Sequence, residues 1–150
     1  MTDYQALLKQ SRKDIPKPEL LPSGMWRLRA QRGQFFEPRS DDQNPRATIF
    51  YKATEPLGDV DPDELAELGD YDFGNTPLEA TFFLGELKDW DKLNQHFDML
   101  GLDPEASTED CLKACAGHEI VAYMDRDSYT DKRTGEPTIK NVPKSFQKAD

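Results

Sequence analysis

Two cysteines in 150 residues, Cys111 and Cys115, leave no disulfide framework, and so sparse a use of thiols fits a reducing compartment. No apolar run approaches the ~20 residues that cross a bilayer. The opening Met1-Thr2-Asp3-Tyr4 carries neither the basic nor the apolar region of a secretory signal. A cytoplasmic protein without membrane association is therefore expected. There is no phosphate-cradling glycine loop and no serine or cysteine nucleophile motif. Internal repeats and low-complexity tracts are also missing. The length suits one domain, residues 1–150, able to bury a real core.

Basic residues are scarce in one place. Residues 55–110 hold 2 Lys/Arg against 17 Asp/Glu, whereas residues 1–54 hold 10 against 6 and residues 111–150 hold 7 against 6. The formal net charge of −10 is thus an acidic middle between mildly basic flanks. Total charge alone argues against a polyanion partner, but one face can still be basic while another is acidic.

What is present centres on residues 25–52. Trp26, Leu28 and Ala30 alternate with Met25, Arg27, Arg29 and Gln31, the period-2 signature of a half-buried strand. Ala47, Ile49 and Tyr51 oppose Thr48, Phe50 and Lys52 in a second strand, and the Pro-, Asp- and Asn-rich residues 37–46 form the loop between them. This β-ribbon has one core face and one face of guanidinium and aromatic groups. A single-stranded nucleic acid needs those two groups, charge for phosphates and rings for unstacked bases. An ordinary half-buried hairpin has the same pattern.

Along the rest of the chain, residues 2–13 suggest a short amphipathic helix, and the prolines of residues 15–24 a non-helical lead-in. Residues 1–22 are thus expected to be an arm. Asp61 and Pro62 open a helix over 62–68. Residues 78–87 read as a strand, and Asp89 or Asp91 caps a helix bearing Trp90, Leu93, Phe97 and Leu100. Ser107 to Asp110 start another helix over 109–116. Strands at 119–125 and 138–142 flank a loop, and residues 143–150 read as a polar tail. Trp26, Phe82, Phe83, Trp90 and Phe97 are expected in the core.

Three patterns bear on site chemistry. Asp63, Glu86 and Lys88 loosely match a Mg²⁺-dependent nuclease, although Asp63 is already explained as a helix start. Asp59, Asp61, Asp63 and Asp70 mimic a calcium loop whose required glycine is Glu64. Cys111, Cys115 and His118, with His96 elsewhere, lack the usual zinc spacing, and the two cysteines read better as buried core thiols. No metal, cofactor or catalytic residue is expected.

Strand, strand, acidic insertion, strand, helices, strand, strand is the order of an OB-fold. That is a five-stranded, partly open barrel with a helix between strands 3 and 4, whose face and 1–2 and 4–5 loops bind oligonucleotides. The class expected is mainly β with helices (α+β). Leu21-Pro22-Ser23-Gly24 before the first strand carries part of a family likeness. The stretches Lys92-Leu93-Asn94 to Met99-Leu100-Gly101-Leu102, Gly117-His118-Glu119-Ile120-Val121-Ala122-Tyr123 and Thr138-Ile139-Lys140-Asn141-Val142 carry the rest. On these the sequence resembles phage-encoded single-stranded DNA-binding proteins of the OB-fold. The resemblance implies non-catalytic, cofactor-free binding of single-stranded DNA in phage DNA replication or recombination. The expected contacts are Arg27, Arg29, Arg32, Lys52, Arg126, Lys132, Arg133 and Lys140 to phosphates, with Phe50, Tyr123 and Tyr129 stacking bases. The chain lacks the acidic C-terminal tail that many such proteins use to recruit partners. A second class is an acidic protein-interaction module, adaptor or DNA mimic, working through residues 55–110, where replication or recombination proteins would also dock.

Overall fold

Trp26, Leu28 and Ala30 are all buried, as their alternation with Arg27 and Arg29 requires, and they fix the core face of the central strand. The computed structural model describes residues 4–12 and 18–149, apart from the side chains of Tyr4 and Leu7. The strands are β1 (Gly24–Phe36), β2 (Arg46–Pro56), β3 (Leu78–Phe83), β4 (Glu119–Thr130) and β5 (Pro137–Lys148). They form one antiparallel sheet in the order β3-β2-β1-β4-β5. With them go the helices α1 (Tyr4–Lys9), α2 (Pro62–Glu67), α3 (Leu87–Met99) and α4 (Thr108–Ala114), and a 3-10 turn at Phe73–Asn75. The fold is mainly β with helices. Among the described residues no ladder joins the edge strands β3 and β5, so the sheet is open, although the two strands approach each other and α3 packs against both.

One side chain fills that approach. His96 of α3 is buried, with Phe82 of β3 at 5.1 Å and Phe146 of β5 at 4.6 Å between ring centroids. Tyr51 Oη lies 2.5 Å from His96 Nε2. Burial pushes the Tyr51 phenol up and the His96 imidazole down to about 4, so both are neutral near pH 7. A neutral pair sharing one hydrogen bond is what a low-dielectric core tolerates.

Two β-bulges shape β1 and its partner. Thr54 is the extra residue where Arg27 pairs with Glu55 and Leu28 with Ala53, and its hydroxyl donates to the Arg27 carbonyl at 3.1 Å. Gln31 is the extra residue where Ala30 pairs with Tyr51 and Arg32 with Phe50. Each bulge bends and twists the strand locally. Beyond Gln31, Gly33 turns to the core, where an added Cβ would stand 2.8 Å from the Leu112 carbonyl oxygen of α4.

Several sequence expectations are corrected. The helix expected over residues 2–13 is described only in part, as α1, and residues 1–3 and 13–17 lie outside the described residues. The end of the expected arm is core: Leu21 is fully buried, its N–H donates to Asn141 Oδ1 at 2.7 Å and its carbonyl accepts from Asn141 Nδ2 at 2.9 Å. The polar tail is strand, because β5 continues to Lys148 through a bulge opposite Ala122. Ser145 there has φ 52°, and the following Phe146 packs against the core. Strand β4 reaches Thr130, and α3 begins at Leu87 with Asp89 accepting from the Glu86 N–H at 3.0 Å. Phe83, expected in the core, is 62% exposed.

Candidate nucleic-acid interface

The face of the sheet turned away from the core can be read from the register, since directly opposed residues of antiparallel strands share a face. Arg27 pairs with Glu55 on β2 and Val121 on β4. Arg29 pairs with Lys52 and Glu119, Arg32 with Phe50, and Phe50 in turn with Glu79 on β3. Met25 pairs with Tyr123, and Tyr123 with Lys144 of β5. Arg27, Arg29, Arg32, Phe50, Lys52 and Tyr123 therefore lie on one contiguous outward face, centred on β1.

The cations there have different partners. The Arg32 guanidinium lies over the Phe50 ring at 4.3 Å and donates from Nη1 to Gln34 Oε1 at 2.9 Å. This stacking holds a charge and an aromatic plane side by side. Among the described residues neither Arg32 nor Lys52 has a carboxylate within ion-pair distance. The Lys52 stem runs beside the 3-10 turn, where a Cβ on Gly74 would stand 3.3 Å from Lys52 Cδ. Arg27 Nε is held by Glu55 at 2.7 Å, and Arg29 stands 4.0 Å from Glu119. A phosphate at Arg27 must compete with a carboxylate; one at Arg32 or Lys52 need not.

The other expected contacts lie further out. Past Met124, strand β4 has no β1 partner, and β4 and β5 continue as a two-stranded ribbon. Tyr129 sits on this ribbon, 45% exposed, with Lys140 Nζ 5.1 Å from its ring centroid. Alternation from Tyr123 puts Tyr129 on the same outward side. Lys132 and Arg133 occupy the turn at the ribbon's end, where the Arg133 N–H donates to Asp131 Oδ1 at 2.8 Å.

Arg126 is not with the others. It lies across the strand from Tyr123, and its Nε and Nη2 both donate to the Leu21 carbonyl at 3.2 Å. Together with Asn141 it clamps the lead-in to the sheet, and it lines a cleft with Glu64 and Glu67 of α2. Its role in this structure is to anchor the chain.

Three further side chains share this face: Phe36 and Phe83, which sequence reasoning missed, and Arg46, which it places in the 1–2 loop and not on the sheet. Arg46 pairs with Phe36 on β1 and Phe83 on β3, and its guanidinium lies 4.3 Å from the Phe36 centroid. Phe36 and Phe83 stand beyond the Gln31 bulge and in an unbroken apolar run, so simple alternation does not place them. A bulge signal at Gln31 would have found Phe36. Nothing in Phe82-Phe83-Leu84 tells which ring faces out.

The rival constellations have other duties. Asp59 Oδ1 accepts from the Met25 N–H at 2.8 Å and Asp61 from Asp63 at 2.8 Å, while Lys88 pairs with Glu86 at 3.2 Å on the surface. His118 Nδ1 is bonded to the Leu100 carbonyl at 2.9 Å, and both cysteines are buried free thiols. Among the described residues no three His, Cys, Asp or Glu side chains are grouped to hold a metal ion, and no helix is long and apolar enough to cross a membrane.

No family model matches the chain, and no curated protein matches it significantly. Its functional reading rests on this surface.

Proposed function

We propose that the outward face of the sheet binds single-stranded DNA without sequence preference and without chemistry, as a phage-type protein of DNA replication or recombination. The observation that carries this is the convergence of Arg27, Arg29, Arg32 and Lys52 with Phe50 and Tyr123 on one face, the Arg32 guanidinium lying 4.3 Å over Phe50. Guanidinium and ammonium groups take phosphates, and rings between them take bases from a strand whose bases are free to turn outward. A duplex offers phosphates but no open base faces. The strand order, the helix between β3 and β4 and the near approach of β3 to β5 support an OB-fold-like barrel. Glu55 and Glu79 of the acidic middle share this face, opposite Arg27 and Phe50, whereas Glu64 and Glu67 of α2 stand across the sheet from it, beside Arg126. That side is free for proteins of the same process.

Fluorescence anisotropy with labelled single- and double-stranded oligonucleotides, over a salt series, tests the reading. Binding is expected for the single strand, with log affinity falling linearly in log salt at about 0.7 per phosphate contacted. Affinity independent of salt, or preference for the duplex, overturns it. Incubation with Mg²⁺ is expected to leave the oligonucleotide intact; cleavage lost in Lys88→Ala would establish the nuclease instead.

A further inference from the structure

Phe36, Arg46 and Phe83 form a cross-strand row on β1, β2 and β3, on the same outward face as Arg32 and Phe50. Four positions along β2 separate this row from the one containing Phe50, with Thr48 and Thr81 in the row between them, their hydroxyl oxygens 3.0 Å apart. The row pairs an exposed ring, Phe83, with a guanidinium stacked over a second ring, Phe36. Among the described residues Arg46 has no carboxylate within ion-pair distance. An exposed phenylalanine at the end of a sheet costs solubility and contributes little to the core. Beside an uncompensated cation and continuous with the Arg32–Phe50 pair, it has the chemistry of a stacking platform.

We infer that this row is a second base-stacking subsite. Phe83 takes the face of an unstacked nucleobase, and Arg46 takes the adjoining phosphate while keeping its hold on Phe36. The subsite rests on the proposed binding of single strands and extends the track past Phe50 to the edge strand β3. Its occupant is a nucleotide of the same strand that crosses Arg29 and Lys52, so it fills only when the strand is long enough to reach it.

The test is a length series of oligothymidylates, from about 4 to about 16 nucleotides, the range such modules occlude. It compares the wild-type chain with Phe83→Ala, Phe83→Trp and Arg46→Gln. On the shortest oligomers Phe83→Ala is expected to match wild type. On the longest it is expected to bind at least about fivefold more weakly, the loss of one stacked base. Phe83→Trp is expected to keep the affinity, and its added tryptophan fluorescence to be quenched by long oligomers and not by the shortest. Because Phe83 is exposed, these substitutions leave the core intact, and matching thermal melts check this. If wild type binds and loses affinity in Arg29→Ala, yet Phe83→Ala equals wild type at every length, the subsite is refuted and the main face stands. If wild type binds no single strand at any length, both are refuted.

Discussion

The two long ribbons of this protein carry similar numbers of cations and treat them differently. In the β1–β2 ribbon, Arg32 and Arg46 lie over Phe50 and Phe36, and helix α4 and strand β3 back the strands. In the β4–β5 ribbon Lys140 also lies over a ring, Tyr129, but Lys144 bridges Asp125 at 3.3 Å and Asp127 at 3.2 Å, and among the described residues the strands run past β1 with no further sheet partner. The hydrogen bond from the Arg126 N–H and the one from Lys144 hold the Asp125 carboxyl below the usual range, and Asp127 and Asp125 hold the Lys144 ammonium above it. A cation over a ring keeps its field for an incoming anion, whereas a cation between two carboxylates has spent most of it. Binding strength should therefore be concentrated in the first ribbon, and the second should supply reach.

The largest expected effect breaks the comparison directly. Replacing Arg29, Arg32 and Lys52 together by alanine should weaken single-strand binding about 10³-fold, roughly tenfold per lost charged contact, and flatten the salt slope by about 2. The equivalent triple change at Lys132, Arg133 and Lys140 should cost less than about tenfold. Equal losses in anisotropy titrations would erase the distinction between the ribbons.

Next comes the residue that ties the ribbons together below the surface. His96 touches β2, β3 and β5, and its imidazole is held down at about 4 against an ordinary 6.5. Above pH 6.5 neither the folded nor the unfolded chain binds this proton, so the stability is fully present. As the pH falls from 6.5 toward 4 the unfolded chain takes the proton first, and about 3 kcal/mol is lost. Urea midpoints measured across that window should fall steadily; a flat profile down to pH 5 would mean His96 is not held neutral.

A smaller effect sharpens the idea that α4 stiffens the first ribbon. Gly33→Ala puts a methyl against the Leu112 backbone and should lower stability by about 1–3 kcal/mol in urea melts. No loss would show that α4 yields freely. The smallest effect concerns β5. Ser145→Gly relieves a left-handed backbone and should raise stability by about 0.5 kcal/mol, the strain removed less the added freedom of the unfolded chain. A decrease would mean the hydroxyl matters more than the conformation.

How much of this could be read from the sequence follows from where period 2 holds. Up to Ala30 the alternation in β1 names the faces correctly, and Asp61-Pro62 marks the start of α2 as its cap chemistry dictates. Past Ala30 one inserted residue changes the phase, so alternation does not set Arg46 and Phe36 opposite each other. Lys144, Ser145, Gln147 and Lys148 dilute β5, and a bulge at Ser145 interrupts what alternation remains, so Phe146 reads as tail although it packs on His96. Phe82-Phe83 reads as buried because an apolar run implies cover on both sides, and β3 is covered on one. Arg126 reads as a phosphate contact because its charge is visible in the sequence while the Leu21 carbonyl it clamps, 105 positions earlier, is not.

Gln31 gives the sheet a spare link. A chain lacking that one residue would join Ala30 straight to Arg32 and still set Arg32 opposite Phe50 and Phe36 opposite Arg46, because the ladder already counts as though Gln31 were not there. Such a shortened variant should keep its palette of rings and charges and lose only the local coil of the strand, whereas removing a residue from any regularly paired position would turn the palette inside out.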